Sequence, residues 1–483
     1  MPLLPLGRAF TEAALRDPDR PAVTVGDATV TRAELESLAN RMARAFVGHG
    51  AQHGDYITIG LPNSPEFFAA TLAAWKVGAI PQPVSPRLPH LEREGIVELA
   101  GSALVLGAEP GEHPGRVCLP LGWLPDRAID DSPLPDAISP TWKAPTSGGS
   151  TGRPKLIVAS DPGVIDTDVD PGMGMVRDGV MLVPGPMYHN APFSYASKAL
   201  VNGNHIVTMA RFDAEATLAA VREHRPTWML LVPTMMLRIT RVADHRSYDM
   251  SSLRVVWHMA APCPAWLKEE WIDWLGGEKI FELYAGTEAQ AVTVIRGDQW
   301  MAHRGSVGKP IYGEMKVLDA DGNDAPAGEV GEIYMRAPDG RVTYRYVGAD
   351  AKRTDDGWES LGDMGWIDEE GFVFLTDRLG DMILSGGANI YPAEVESAID
   401  EYPHVRSSAV IGLPDEDLGS RIHAIVQLAD GFVVTEDELR AYLAERLVRY
   451  KIPRSFEFVT EPLRDDAGKV RRSRLRADRV DPA

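Results

Sequence analysis

The feature that most constrains the fold is a repeated alternation of helix-like and strand-like runs. TRAELESLANRMARAFVGHG, from Thr31, has apolar residues at helical spacing, a threonine placed to cap its start and a glycine near its end. YITIGLPNS then reads as a strand, EFFAATLAAWKVGA as a helix and IPQPVSP as an extended run. The pattern returns in HIVTMARFDAEATLAAVREHRPTWMLLVPTMM and in LRVVWHMAAPCPAWLKEEWIDWLGGEKIFELYAGTE. Such alternation predicts a mostly parallel α/β sheet flanked by helices, with ligands approaching the small-residue and proline turns where strands end.

From about Gly305 the style changes to short strands, with DADG and DEEG as turn tips, which predicts a β-rich subdomain. After Arg378 it changes again, to a compact α+β segment. At 483 residues the chain exceeds one ordinary core. The expected division is a large N-terminal domain over 1–377 and a small C-terminal domain over 378–483.

Hydrophobic residues at 44% and charged residues at 24% are soluble-globular values, and a formal charge of −20 argues against nucleic acid or an anionic membrane as the main partner. Basic residues gather only near the end, in KVRRSRLRADR. Cys118 and Cys263 are far apart, so neither a disulfide framework nor a zinc site is indicated. The apolar start is too short for a signal-peptide core, and no apolar run approaches the roughly 20 residues that span a bilayer. A cytoplasmic protein is expected, and a homodimer is compatible with the sequence.

The stretch Thr146 to Lys155, TSGGSTGRPK, holds hydroxyls, glycines and a lysine. It lacks the Walker spacing, because Arg153 and Pro154 stand between the last glycine and Lys155. By itself it allows two readings, a phosphate cradle of backbone amides and an ordinary polar loop.

SGGSTGRPK, YAGTE, GDMGWIDEEGFVFLTDR, SGGANIYPAEVE and DDAGKVRRSRLR follow one another along nearly the whole chain. In that order and spacing the sequence resembles the adenylate-forming ligases, the acyl-CoA synthetases among them. The resemblance implies a two-step reaction: a carboxylic acid attacks the α-phosphate of ATP to give an acyl-adenylate, and the thiol of coenzyme A then displaces AMP. It implies ATP, Mg²⁺ and coenzyme A as cofactors and a small-molecule carboxylic acid as partner.

The same resemblance assigns site residues. Ser147, Gly148, Gly149, Ser150, Thr151, Gly152 and Lys155 match the phosphate loop. Tyr284 is expected against the adenine, Thr287 at the α-phosphate and Glu288 on Mg²⁺. Asp363 matches the carboxylate that takes both ribose hydroxyls, and Arg378 a second ribose or phosphate contact. Lys469 matches the catalytic lysine, whose one ammonium bridges the carboxylate and the α-phosphate. A lysine so far along the chain implies rotation of the small domain about Gly380, exchanging Lys469 for the loop SGGAN. In that loop Ser385, Gly386 and Gly387 line the pantetheine path, with Arg449, Lys451 and Arg454 toward the coenzyme A phosphates.

His189 in PMYHNAPF matches the gate of the acyl pocket, and Met259, Ala260 and Ala261 its wall. The small side chains and PTSGG look most like the branch acting on bulky acids such as bile acids or terpenoids, with a fatty or aryl acid as alternative. Leu156, Leu361 and Gly380 depart from the family pattern. They leave open transfer to a carrier protein, retention of one half-reaction only, and a non-catalytic nucleotide-binding protein.

Overall fold

The structure is a computed structural model that describes residues 3–148, 154–378, 381–385, 388–415, 418–465 and 468–480; the side chains at 147, 148, 377, 378 and 389 fall outside that description. Among the described residues the main sheet has 14 strands. Six are parallel neighbours, in the order Pro21–Val25, His205–Thr208, Val180–Leu182, Trp228–Leu231, Val255–His258 and Ile280–Ala285. WMLL and VVWH are buried throughout, because both faces of the sheet are covered and the strands have no solvent side to mark with polar residues.

Register decides which cover each side chain meets. Trp228, Leu230 and Trp257 pack with Phe10, Phe46, Phe67 and Phe193 from one layer of helices. Met229, Leu231 and Val256 face the other way, onto Leu218, Met236 and Trp271. The helix Arg32–Gly48 begins as its sequence predicts: the Thr31 hydroxyl accepts from the Glu34 amide, and the Glu34 carboxylate accepts from the Thr31 amide.

The β-rich stretch after Gly305 forms as expected. Apart from Tyr344–Val347, its strands belong to the main sheet. The hairpin Ile280–Ala285 with Val292–Arg296 turns the parallel sheet antiparallel, and the ladder continues without a break through Ser306–Tyr312, Val373–Arg378, Glu359–Ile367, Gly331–Arg336 and Glu314–Leu318. The expected DEEG tip is present. Asp368 and Phe372 close it, and Gly371, at φ 85°, supplies the left-handed residue it needs.

Two further sheets matter to the site. A parallel one contains Ile80–Pro83, Tyr56–Ile59, Leu104–Leu106 and Val117–Leu119. An antiparallel one pairs Thr146–Gly148 with Pro154–Ala159, and Pro154–Ala159 with Tyr344–Val347. The chain's end forms the expected small α+β unit. Val405–Asp415, Gly419–Leu428 and Ser455–Val459 make its sheet, with a separate core of residues such as Ile390, Val395, Ile399, Val410 and Leu439.

One buried ion pair supports the main sheet from below. Lys268 Nζ, on the helix Ala265–Leu275, donates to Glu282 Oε2 at 2.5 Å, and both residues are nearly water-free. Removing one partner leaves an uncompensated buried charge. Lys268→Met alone is expected to cost about 3–5 kcal/mol, and Lys268→Met with Glu282→Leu to recover most of that loss, as read from urea unfolding.

Candidate active site

The turn after Ile280–Ala285 carries Thr287 and Glu288. Glu288 is buried, at 6% exposure, and its carboxylate sits between the main sheet and the antiparallel sheet of Pro154–Ala159 and Tyr344–Val347. Oε1 accepts from the Tyr346 hydroxyl at 2.6 Å and lies 3.8 Å from Lys155 Nζ. The Thr343 hydroxyl donates to the Glu288 carbonyl at 2.6 Å. Lys155 Nζ in turn sits 3.6 Å over the Tyr346 ring. Burial first, and then the Glu288 charge, hold the Tyr346 phenol well above its usual pKa, so it remains a donor.

Oε2 of Glu288 has no hydrogen-bond partner among the described residues and faces Gly286, where an added Cβ would stand 2.8 Å away. A buried carboxylate with one oxygen held and one available fits Mg²⁺ shared with substrate phosphates, the usual arrangement for that ion. Among the described residues there is no cluster of three or more metal-ligating side chains. Ala289, beside Glu288, and Ala260, at the end of Val255–His258, both adopt positive φ, at 57° and 74°. The two strained alanines flank the same turn-lined region.

Tyr284 and Asp363 come together: the Tyr284 hydroxyl donates to Asp363 Oδ2 at 2.8 Å across the sheet. Asp363 is also the ladder partner of Arg378. Leu361 packs against the YAGTE turn, where a Cβ on Gly286 would meet its Cδ1. Leu156 is fully buried beside Ile80, Val84 and Val158, so it belongs to the core behind the ladder. Gly149, Ser150, Thr151, Gly152, Gly380, Gly386 and Gly387 lie outside the described residues, as do the side chains of Ser147, Gly148 and Arg378.

His189 is the N-cap of the helix Asn190–Val201, its ring centroid 4.5 Å from that of Tyr188. Met259 is buried in the main core, Ala261 is half-buried and Ala260 is exposed. Lys143, four residues before Ser147, did not stand out in the sequence. It is buried, donates to Asn190 Oδ1 and, at 2.7 Å, to Ser194 Oγ, and has no carboxylate within ion-pair distance among the described residues. Burial pulls its pKa down to about 7, against the opposing charge of Glu288. Tyr346 and Thr343 were missed as well. The alternating tyrosines of TYRYV were a signal, since such alternation puts both rings on one face of a strand.

Lys469 is on the small unit, in a loop closed by reciprocal bonds between Asp465 and Lys469. That loop lies against the main unit. Gly468, at φ 76°, passes so close to Thr234 that an added Cβ would stand 2.5 Å from its hydroxyl oxygen. Arg471 reaches Glu92 at 3.3 Å, and Arg241 donates to the Asp400 carbonyl at 3.3 Å. Ser385 pairs with Ala388 at the base of the SGGAN hairpin. Arg449 is exposed, whereas Lys451 is bound by both oxygens of Glu394, at 2.7 and 2.6 Å.

These features define an adenylate-forming enzyme. The AMP-binding enzyme family model matches residues 10–346, and the model for the AMP-binding enzyme C-terminal domain matches 394–469. The chain is 33% identical to a feruloyl-CoA synthase from Amycolatopsis over 98% of both chains. It is 30% identical to a 2-succinylbenzoate–CoA ligase from Bacillus licheniformis, over 95% of this chain and 97% of that one. Among solved structures, it superposes on the o-succinylbenzoate CoA synthetase of Bacillus subtilis in complex with its acyl-adenylate intermediate, with a TM-score of 0.85, 28% identity and 100% of both chains covered. The chain belongs to the AMP-binding enzyme family. None of its described helices is long and apolar enough to cross a membrane.

Two outcomes follow from this geometry. Tyr346→Phe removes a donor to a buried carboxylate, worth about 1.5–3 kcal/mol, and is expected to lower adenylation about ten- to a hundredfold in a pyrophosphate-release assay. Lys143 is charged in both folded and unfolded chains below pH 7, whereas between pH 7 and 10 the unfolded chain binds more protons. Folded-state stability contributed through Lys143 therefore rises over that window. Lys143→Met is expected to be at least as stable as the wild type at pH 7, with its advantage shrinking toward pH 10 in chemical unfolding.

Proposed function

We propose that the chain is an ATP-dependent carboxylic acid:coenzyme A ligase acting on a bulky, largely apolar acid. The observation that carries this reading is the Lys469 loop seated against Thr234 beside a main unit that holds Glu288, Tyr284 and Asp363. In the first step a carboxylate oxygen bonds to the α-phosphorus as the bond to pyrophosphate breaks. Lys469 bridges the two anionic centres, and Thr287 contacts the α-phosphate. Asp363, held by Tyr284, takes the ribose hydroxyls, with Arg378 beside it. Tyr284 also stacks on the adenine, and Ser147 through Gly152 with Lys155 cradle the pyrophosphate. Mg²⁺ on Glu288 neutralises phosphate charge when bound.

In the second step the thiol sulfur bonds to the acyl carbon, the acyl–phosphate C–O bond breaks, AMP leaves and the thiol proton passes to solvent. The small domain, 378–483, turns about Gly380 between steps, so that Ser385, Gly386 and Gly387 replace Lys469. His189 gates the acid's tunnel, with Met259, Ala260 and Ala261 as its wall. Arg449 is the stronger candidate for a coenzyme A phosphate, because Glu394 already holds Lys451. Cys118 and Cys263 are both free thiols, which supports a reducing, cytoplasmic setting.

A panel of ring-bearing and straight-chain acids with ATP, followed by pyrophosphate release and thioester formation, tests the reading. Lys469→Ala is expected to lose at least about a hundredfold in adenylation, while thioester formation from supplied acyl-adenylate stays within about threefold. Equal loss in both half-reactions would contradict the domain exchange. Thioester on a carrier protein but not on coenzyme A would reassign the acceptor.

A further inference from the structure

Lys143 poses a physical problem that the proposed chemistry does not absorb. A buried ammonium whose opposing charge, Glu288, acts only from beyond ion-pair distance is costly, and an oxygen that reaches it offsets that cost. Its two acceptors, Asn190 and Ser194, are neutral, and they use two of its three N–H groups. Among the described residues no carboxylate lies within 4.0 Å of it, and beyond these two hydrogen bonds its one charge contact is the face of the Trp142 ring, 4.4 Å from Nζ.

The register shows where this cation faces. The ladder that pairs Ser147 with Lys155 extends past the strand ends, since the Ile157 amide donates to the Pro145 carbonyl and the Ala159 amide to the Lys143 carbonyl. Across the next strand Ala159 is opposite Tyr344, and Ile157 is opposite Tyr346. Residues opposite one another, and those two apart, share a face. Lys143, Lys155, Tyr344 and Tyr346 therefore project to one side, the side of Glu288, while Ala144, Leu156 and Val158 fill the core behind. Lys143 stands four ladder positions from the phosphate end, roughly 13 Å along the strand. There it meets the first two turns of the helix capped by His189. The phosphate end has Lys155; Lys143 is at the acyl end.

We propose that Lys143 is a specificity determinant that recognises a second oxygen function, a ketone or a carboxylate, on the acid's ring or chain beyond its reacting carboxyl. The inference rests on the acyl-pocket assignment of His189 and its helix. The carboxylate that reacts is served by Lys469 and the phosphates by Lys155, so the acyl end is the place where an additional buried cation changes what the enzyme selects. A pocket built to pair such an oxygen rejects the analogue lacking it, because the cation is then left unpaired.

The test uses 3-cyclohexylpropanoate and its 3-oxo, 4-oxo, 3-carboxy and 4-carboxy ring derivatives with the full-length chain and Lys143→Met. Binding is read by titration calorimetry without ATP, and adenylation by pyrophosphate release. In the wild type at least one oxygenated acid is expected to exceed the parent by tenfold or more in both affinity and kcat/KM, the latter through KM. In Lys143→Met the preference falls to about twofold or less, while the parent acid keeps its rate within about threefold. The oxo and carboxy arms separate a neutral acceptor from an anion. Should Lys143→Met lose its melting transition, Lys143→Gln takes its place.

Absence of any oxygenated preference in the wild type overturns the proposal. So does an equal loss for all five acids in the variant, which would put Lys143 on the reacting carboxyl or the phosphates. If calorimetry shows the preference while no acid releases pyrophosphate, Lys143 recognition stands and the ligase reading fails.

Discussion

The Glu288 carboxylate is the contact on which the rest of the site depends. Its backbone lies in the turn after the last parallel strand of the main sheet, its carbonyl is held by Thr343, and its Oε1 is held by Tyr346 and approached by Lys155. Three sequence regions more than fifty residues apart are thereby joined at one buried charge. Burial makes each bond strong, and it makes any loss expensive, because an acceptor left without its donor keeps its desolvation cost. In the proposed reaction this carboxylate is the fixed point for a phosphate-rich ligand and its metal.

Among the described residues the two units meet at several points. Gly468 touches Thr234, Arg471 reaches Glu92 and Arg241 caps the Asp400 carbonyl. The ion pair joins an exposed arginine to a half-buried glutamate at the surface and is worth little on its own. Asp400 is different: burial raises its carboxyl to about 6, against the pull of Arg464.

Much of the fold was legible because local pattern fixed it. Thr31 announces a helix start, to which Glu34 adds the reciprocal half of the cap, and DEEG announces a tip through its Asp and Gly. Tyr284, Glu288 and Asp363 were legible through motif position, and the Tyr284–Asp363 bond joins two of them. Lys143, Tyr346 and Thr343 were not: Tyr346 and Thr343 reach the site through antiparallel register with a segment nearly two hundred residues away, and Lys143 through the register of the hairpin that follows it. The same long-range pairing hid the fact that the β-rich stretch prolongs the main sheet. No periodicity within one segment records which edge it joins.

The account's central claim is that one nucleotide site spans both units, with Glu288 and Asp363 on one side and the Lys469 loop on the other. Amide hydrogen exchange with and without AMP measures this directly. The account predicts slowed exchange in three separate regions, 280–289, 359–367 and 464–470, with little change in 405–428. Protection confined to the small unit, or none at 280–289 and 359–367 at saturating AMP, would contradict it.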